Sequence, residues 1–151
     1  MARVFLEAAR AAWAHFLPAD RLAVLESSPE RWERQAPQEA TLVAERGGDV
    51  VGFAVVRGSM DAGEDPSLTG ELDTFYALPS SSGRGVGRLL MRAALDTLRA
   101  RGCREATLWT AEQNERPRRI YEAAGWRPDG ARRPKAFLGV ALVELRYRIV
   151  L

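Results

Sequence analysis

The sequence predicts one mixed α/β domain, of the α+β kind, in which helices flank a central sheet, and three observations predict it. Apolar residues change rhythm along the chain, from helical spacing to strand alternation and back. Turn-forming clusters separate these segments at short intervals. The 151 residues suffice for one core, and a composition of 46% hydrophobic and 28% charged residues is that of a folded globule.

Val4, Leu6, Ala8, Ala11, Ala12, Phe16 and Leu17 form an imperfect helical stripe that Pro18 stops, so a first helix is expected over about residues 3–17. Pro29 opens a second, short helix, with Trp32 as its one large apolar anchor. Residues 41–45 and 50–57 alternate as strands around the turn Arg46-Gly47-Gly48-Asp49, a β-hairpin. Residues 58–70 read as a loop, with Gly58, Gly63, Pro66 and Gly70 amid acids and serines. A strand over 71–78 follows, ended by Pro79 and the run Ser80-Ser81-Ser82-Gly83. Val86, Leu89, Leu90, Ala93, Ala94 and Leu98 then share one helical face, and Gly102 stands where a C-terminal cap belongs. A strand over 106–110 and a helix over about 115–124, closed by Gly125, come next. In the final strand, 139–151, Leu145, Tyr147 and Ile149 alternate with Glu144, Arg146 and Arg148. The expected order is α-α-β-β-β-α-β-α-β-β, in a single domain over residues 1–151.

Several functions are disfavoured by composition. The net charge is only +2 despite a pI near 9.1, Lys135 is the sole lysine, and arginines cluster only at 116, 118 and 119 and at 132 and 133. That falls short of the basic stripe of a nucleic-acid binder. No apolar run approaches the roughly 20 residues of a membrane span, and Arg3, Glu7 and Arg10 spoil the first segment as a signal peptide, so a cytoplasmic protein is expected. Cys103 is the only cysteine and His15 the only histidine, which leaves no disulfide framework and no Cys/His metal site.

Ser82-Gly83-Arg84-Gly85-Val86-Gly87-Arg88 lies between a strand and a well-formed helix. Main-chain N–H groups at such a helix start can hold phosphate, and alternate glycines let an anion approach without Cβ obstruction. A tight turn that binds nothing is the alternative. A Walker loop needs Lys-Ser/Thr after Gly87, and a dinucleotide fingerprint needs Gly where Arg88 stands.

Tyr76-Ala77-Leu78-Pro79 followed by Gly83-Arg84-Gly85-Val86-Gly87-Arg88-Leu89-Leu90 resembles the acetyl-CoA signature of the GCN5-related N-acetyltransferase (GNAT) superfamily. The segment from Leu108-Trp109-Thr110 through Asn114 to Tyr121-Glu122-Ala123-Ala124-Gly125-Trp126 is similar to that family's second signature, and Glu144-Leu145-Arg146-Tyr147 to its last strand. The likeness runs from about Thr41 to the C-terminus. It implies a mixed sheet splayed at an acetyl-CoA site and transfer of acetyl to a primary amine by direct attack in a ternary complex. The amine is unidentified, and small amines, antibiotics and protein N-termini all qualify.

By resemblance, cofactor contacts fall on Tyr76, Ala77 and Leu78, which pair with the pantetheine arm as a strand would, on Gly83, Arg84, Gly85, Val86, Gly87 and Arg88 around the pyrophosphate, and on Asn114. A main-chain N–H near Tyr76 and Ala77 would hold the oxyanion. Tyr121, seven residues after Asn114, would protonate the leaving thiolate; its alternative is a core aromatic. Asn114 also suits a helix N-cap. An alkyl amine must lose a proton before it attacks, and Glu71 is the candidate base with Asp73 the alternative. Either could instead be a solvated strand charge. The tryptophans read as packing groups, with Trp13 or Trp32 able to line the acceptor wall.

The chain departs from the pattern at Ser82, where the family carries Gln or Arg, and at its start, where the family's first strand is expected but a helix stands. Either that strand is lacking or the true start lies upstream. A lacking strand exposes the edge of strand 41–45, an invitation to a homodimer. The competing function is a non-catalytic acyl-CoA-binding module, in which Glu71 and Tyr121 are idle.

Overall fold

The computed structural model describes residues 1–27, 32 and 39–151. Helix α1 (Ala2–Trp13) buries Val4, Phe5, Ala8 and Ala9, a tighter stripe than the sequence pattern suggests. It stops four residues early, where Phe16 and Leu17 donate main-chain hydrogen bonds to the Trp13 carbonyl at 3.1 and 2.9 Å. Pro18 bars any continuation past Leu17, because proline disfavours helical backbone at the residue before it. A short helix α2 (Ala19–Ala23) begins directly after Pro18. The helix expected from Pro29 lies outside the described residues. Of that segment Trp32 is seen, its ring 4.9 Å from that of Phe53.

Strands β1 (Ala40–Arg46), β2 (Asp49–Gly58) and β3 (Thr69–Ala77) run antiparallel in turn. The β1–β2 turn is the expected glycine pair, with φ of 59° at Gly47 and 85° at Gly48, the left-handed backbone that a two-residue hairpin of this twist requires. A 3-10 turn at Pro79–Ser81 leads to α3 (Val86–Ala100), then β4 (Glu105–Ala111), α4 (Glu115–Ala123), β5 (Arg127–Phe137) and β6 (Val140–Val150). The six strands make one mixed sheet in the order β1-β2-β3-β4-β6-β5. Among the described residues β1 pairs with β2 alone, so the sheet edge expected to lie open does so.

Alternation along β2 divides the core between the two faces. Ala54 and Val56 pack with Leu72 and with Met91, Ala94 and Leu98 of α3, whereas Phe53 and Val55 join Val4, Phe5 and Ala9 of α1. A Cβ at Gly52 would come within 2.9 Å of Leu90, so only glycine lets α3 approach this closely. Trp126 and Tyr147, both fully buried, lie in the α3 cluster, and Trp126 Nε1 donates to the Met91 sulfur at 3.4 Å. Replacing Trp126 by alanine empties the largest fully buried side-chain volume and should destabilise the fold by about 3–5 kcal/mol, read as a lower urea midpoint at constant slope.

Candidate active site

Strands β3 and β4 form the one parallel pair among the described residues, and they pair at only three positions, Thr69 with Glu105, Gly70 with Ala106 and Glu71 with Thr107. Beyond Glu71 they part, although β3 continues to Ala77 and β4 to Ala111. On its other side β3 stays paired to β2, Tyr76 lying opposite Phe53. The Leu78 N–H donates to the Val51 carbonyl at 2.9 Å, which leaves Leu78 only its carbonyl for any ligand. Because strand residues alternate the side to which they turn their main-chain groups, Tyr76 faces β2 while Phe75 and Ala77 face the gap.

The glycine loop closes the wide end of this gap. Gly83 and Gly85 have φ of 73° and 81°, and a Cβ at either would meet nothing within 4 Å, so the loop presents open main chain. Gly85 is the N-cap of α3, whose first-turn N–H groups lack helical acceptors and carry the positive end of the helix dipole. Arg84 and Arg88 are exposed, and neither forms an ion pair with a described residue. Ser82, the departure from the family pattern, accepts a hydrogen bond from Arg116 Nη2 at 2.7 Å, joining the loop to the start of α4.

Asn114 caps α4 by position yet makes no side-chain cap bond. Its Nδ2 donates weakly to Thr110 Oγ1 at 3.4 Å, and its Oδ1 is buried without a hydrogen-bond partner among the described residues. Such an orphan acceptor costs roughly 1–3 kcal/mol unless a ligand satisfies it. Tyr121 of α4 is buried, its ring centre 6.3 Å from that of Phe75 beside the gap. Burial pushes its hydroxyl up to about 12, so the phenol stays protonated near neutrality.

At the fork of the sheet lies a cavity of about 270 Å³ with Glu71, Asp73, Trp109 and Glu144 among its lining residues. Glu71 is only 6% exposed, while Asp73 occupies a β-bulge, the extra residue between Thr74 and Leu72 as they pair with Val55 and Val56. Arg57, directly across from Glu71, donates from Nε to Glu71 Oε2 at 3.1 Å, from Nη1 to Glu39 at 3.4 Å and from Nη2 to Asp73. Burial pushes the Glu71 carboxyl above its usual range, and the Arg57 charge and hydrogen bond pull it part of the way back.

The expected site residues thus fall in two neighbouring places: Tyr76, Ala77, Leu78, Asn114, Tyr121 and the loop 83–88 around the gap, and Glu71 with Asp73 in the cavity. Trp13 and Trp32, expected candidates for the acceptor wall, pack in the aromatic cluster around Phe5 and do not line the cavity. Trp109 lines it instead, its Nε1 3.0 Å from both oxygens of Asp61 and its ring 4.1 Å beneath the Arg133 guanidinium. Sequence reasoning took Trp109 as packing and missed Arg57 and Arg133. Arg57 meets Glu71 through the β2–β3 register, which follows a long loop and contains a bulge, so no short pattern in the sequence signalled it. Replacing Arg57 by glutamine removes the opposing charge, and the Glu71 carboxyl should then titrate at higher pH than in the parent protein. Carboxyl carbon chemical shifts followed through a pH series measure this; an unchanged or lowered midpoint contradicts it.

Residues 6–126 match the family model of the acetyltransferase (GNAT) family. A mycothiol acetyltransferase of Beutenbergia cavernae is 43% identical over 62 residues, which is 41% of this chain and 21% of that protein, so the match spans a minor part of the relative. A GNAT N-acetyltransferase structure from Rhodopseudomonas palustris superposes with a TM-score of 0.78 at 20% identity, over 99% of this chain and 87% of that one. A structure from Salmonella typhimurium, solved with its cofactor acetyl-CoA, superposes with a TM-score of 0.67 at 23% identity, over 99% and 87%. With four-fifths of its length matched by the family model and the family's forked sheet in place, the chain belongs to the GNAT acetyltransferases.

Proposed function

We propose that this protein transfers an acetyl group from acetyl-CoA to a primary amine within a ternary complex, in the cytoplasm. One juxtaposition carries the proposal: the gap between β3 and β4 offers unpaired main chain, Asn114 just beyond the end of β4 holds a buried Oδ1 with no partner among the described residues, and the fork adjoins a cavity holding the buried acid Glu71. These groups fit acetyl-CoA. Main chain at Phe75 and Ala77 suits a pantetheine arm laid as an extra strand, and Asn114 Oδ1 suits one of its amide N–H groups. The open loop 83–88, with the α3 N-terminus and with Arg84 and Arg88, which form no ion pair among the described residues, suits the pyrophosphate. When bound, acetyl-CoA supplies an activated acetyl thioester.

The chain's own residues then divide the proton handling. Glu71 accepts the amine proton, directly or through water, because an alkyl ammonium near pH 7 has no lone pair to offer. Asp73, half-exposed and on the bulge, stands as the alternative acceptor. The Ala77 N–H, directed into the gap, is the main-chain donor for the developing oxyanion. Tyr121, kept protonated by burial, holds its hydroxyl proton for the leaving sulfur. The open β1 edge is where a second copy of the chain would pair.

Thiol release from acetyl-CoA across a panel of amines tests the proposal. Tyr121→Phe should lower kcat on the order of a hundredfold while leaving acetyl-CoA binding by calorimetry unchanged. Binding without release from any acceptor would instead support a non-catalytic acyl-CoA module, and absence of binding would refute the central claim.

The sign of the pH dependence follows from the base. Glu71 must be ionised to accept a proton, so kcat/KM should rise with pH along a limb on the basic side of the ordinary glutamate value of about 4.3. Glu71→Gln should abolish that limb along with most of the rate. Retention of the limb in this variant would move the base to Asp73.

A further inference from the structure

The wall of the cavity contributed by β5 carries positive charge that the protein itself leaves incompletely used. Arg133 and Lys135 alternate along β5 onto the same side of the strand, and both line the cavity. Arg57, the third cation there, is engaged by Glu71, Asp73 and Glu39. Arg133 gives Nε to Glu144 at 2.6 Å, brings Nη1 to 3.9 Å from Asp61 and lies flat on Trp109, but its Nη2 has no hydrogen-bond acceptor among the described residues. Lys135 is exposed at the rim of the cavity and forms no hydrogen bond or ion pair with any described residue, although the same cavity holds Asp61, Glu71, Asp73 and Glu144. It is also the only lysine in the chain.

The cavity is therefore polarised. Its β3 wall presents the carboxylates of Glu71 and Asp73, suited to a cationic amine, and its β5 wall presents the Lys135 ammonium and a spare Arg133 N–H, suited to an anion. A volume of about 270 Å³ is that of a small metabolite. Resting on the proposed acetyl transfer at this same site, we infer that the acceptor is a small amine that also bears an anionic group, carboxylate or phosphate, which Lys135 and Arg133 hold while the amine lies toward Glu71. Lys135 is then a specificity residue: it discriminates among acceptors and takes no part in proton transfer. A neutral amine would leave the exposed Lys135 charge to solvent and gain nothing from it, and a plain diamine would set a second cation against it.

Matched pairs of compounds test this. Each α-amino acid is compared with its own carboxamide, and aminoalkyl phosphates with the corresponding amino alcohols, so that carboxylate and phosphate are separated. Binding in the presence of CoA is read from the indole N–H resonance of Trp109, and turnover from thiol release. In the parent protein at least one anionic member should bind on the order of tenfold more tightly than its neutral partner, the scale of one charge-assisted contact. Lys135→Met should erase that difference and Lys135→Arg should retain it. The inference is overturned if neutral partners bind as well as the anionic members, or if the preference survives in Lys135→Met. Failure of the transfer reaction itself has a different signature, in which the anionic compounds bind selectively and release no thiol.

Discussion

Two parallel strands that pair at three positions and then separate leave a row of main-chain donors and acceptors unmatched in the middle of a sheet. Unmatched groups of this kind cost free energy unless water or a ligand meets them, so the fork between β3 and β4 is a fault that the rest of the molecule is arranged around. β2 holds β3 on one side and β6 holds β4 on the other, keeping the strands apart. At the wide end stands the N-terminus of α3. At the narrow end Glu71 is the last β3 residue paired to β4, a buried carboxylate that still lines the cavity.

Burial of that acid depends on the strand beside it. Arg57 meets Glu71 across the β2–β3 ladder and reaches the bulged Asp73 with another nitrogen, so one guanidinium organises two carboxylates. A second charged assembly secures the loop that contributes Asp61 to the cavity. Arg146 on β6 reaches Asp61, Glu64 and Asp129, and Arg148 reaches Glu64, Glu105 and Asp129. Individual exposed pairs contribute little, but these are half-buried and share partners, so together they fix the loop of Asp61 and Glu64 against the sheet.

Much of the architecture was legible because it rests on local rules. The Gly47–Gly48 hairpin, the α3 stripe and the alternation of β6 each state their geometry in a few residues. β5 was counted but could not be delimited, since Pro128, Gly130 and Pro134 interrupt any period and few of its side chains are apolar; an edge strand tolerates such a composition where a central one does not. Tyr76, Ala77, Asn114 and Tyr121 were named through resemblance alone, and alternation along β3 turns the main chain of Tyr76 and the Leu78 N–H toward β2. The roles of Trp109, Arg133 and Lys135 are matters of tertiary register between β4, β5 and β6, which no short pattern encodes.

Ser82 changes meaning once its partner is seen. A long polar side chain at that position would itself extend toward a phosphate, whereas the short hydroxyl accepts a hydrogen bond from Arg116 and ties the glycine loop to the first turn of α4. The glycine loop and the first turn of α4 are thereby joined by a side-chain hydrogen bond. Any movement of the glycine loop relative to the helix bearing Tyr121 has to break this hydrogen bond or carry both segments together.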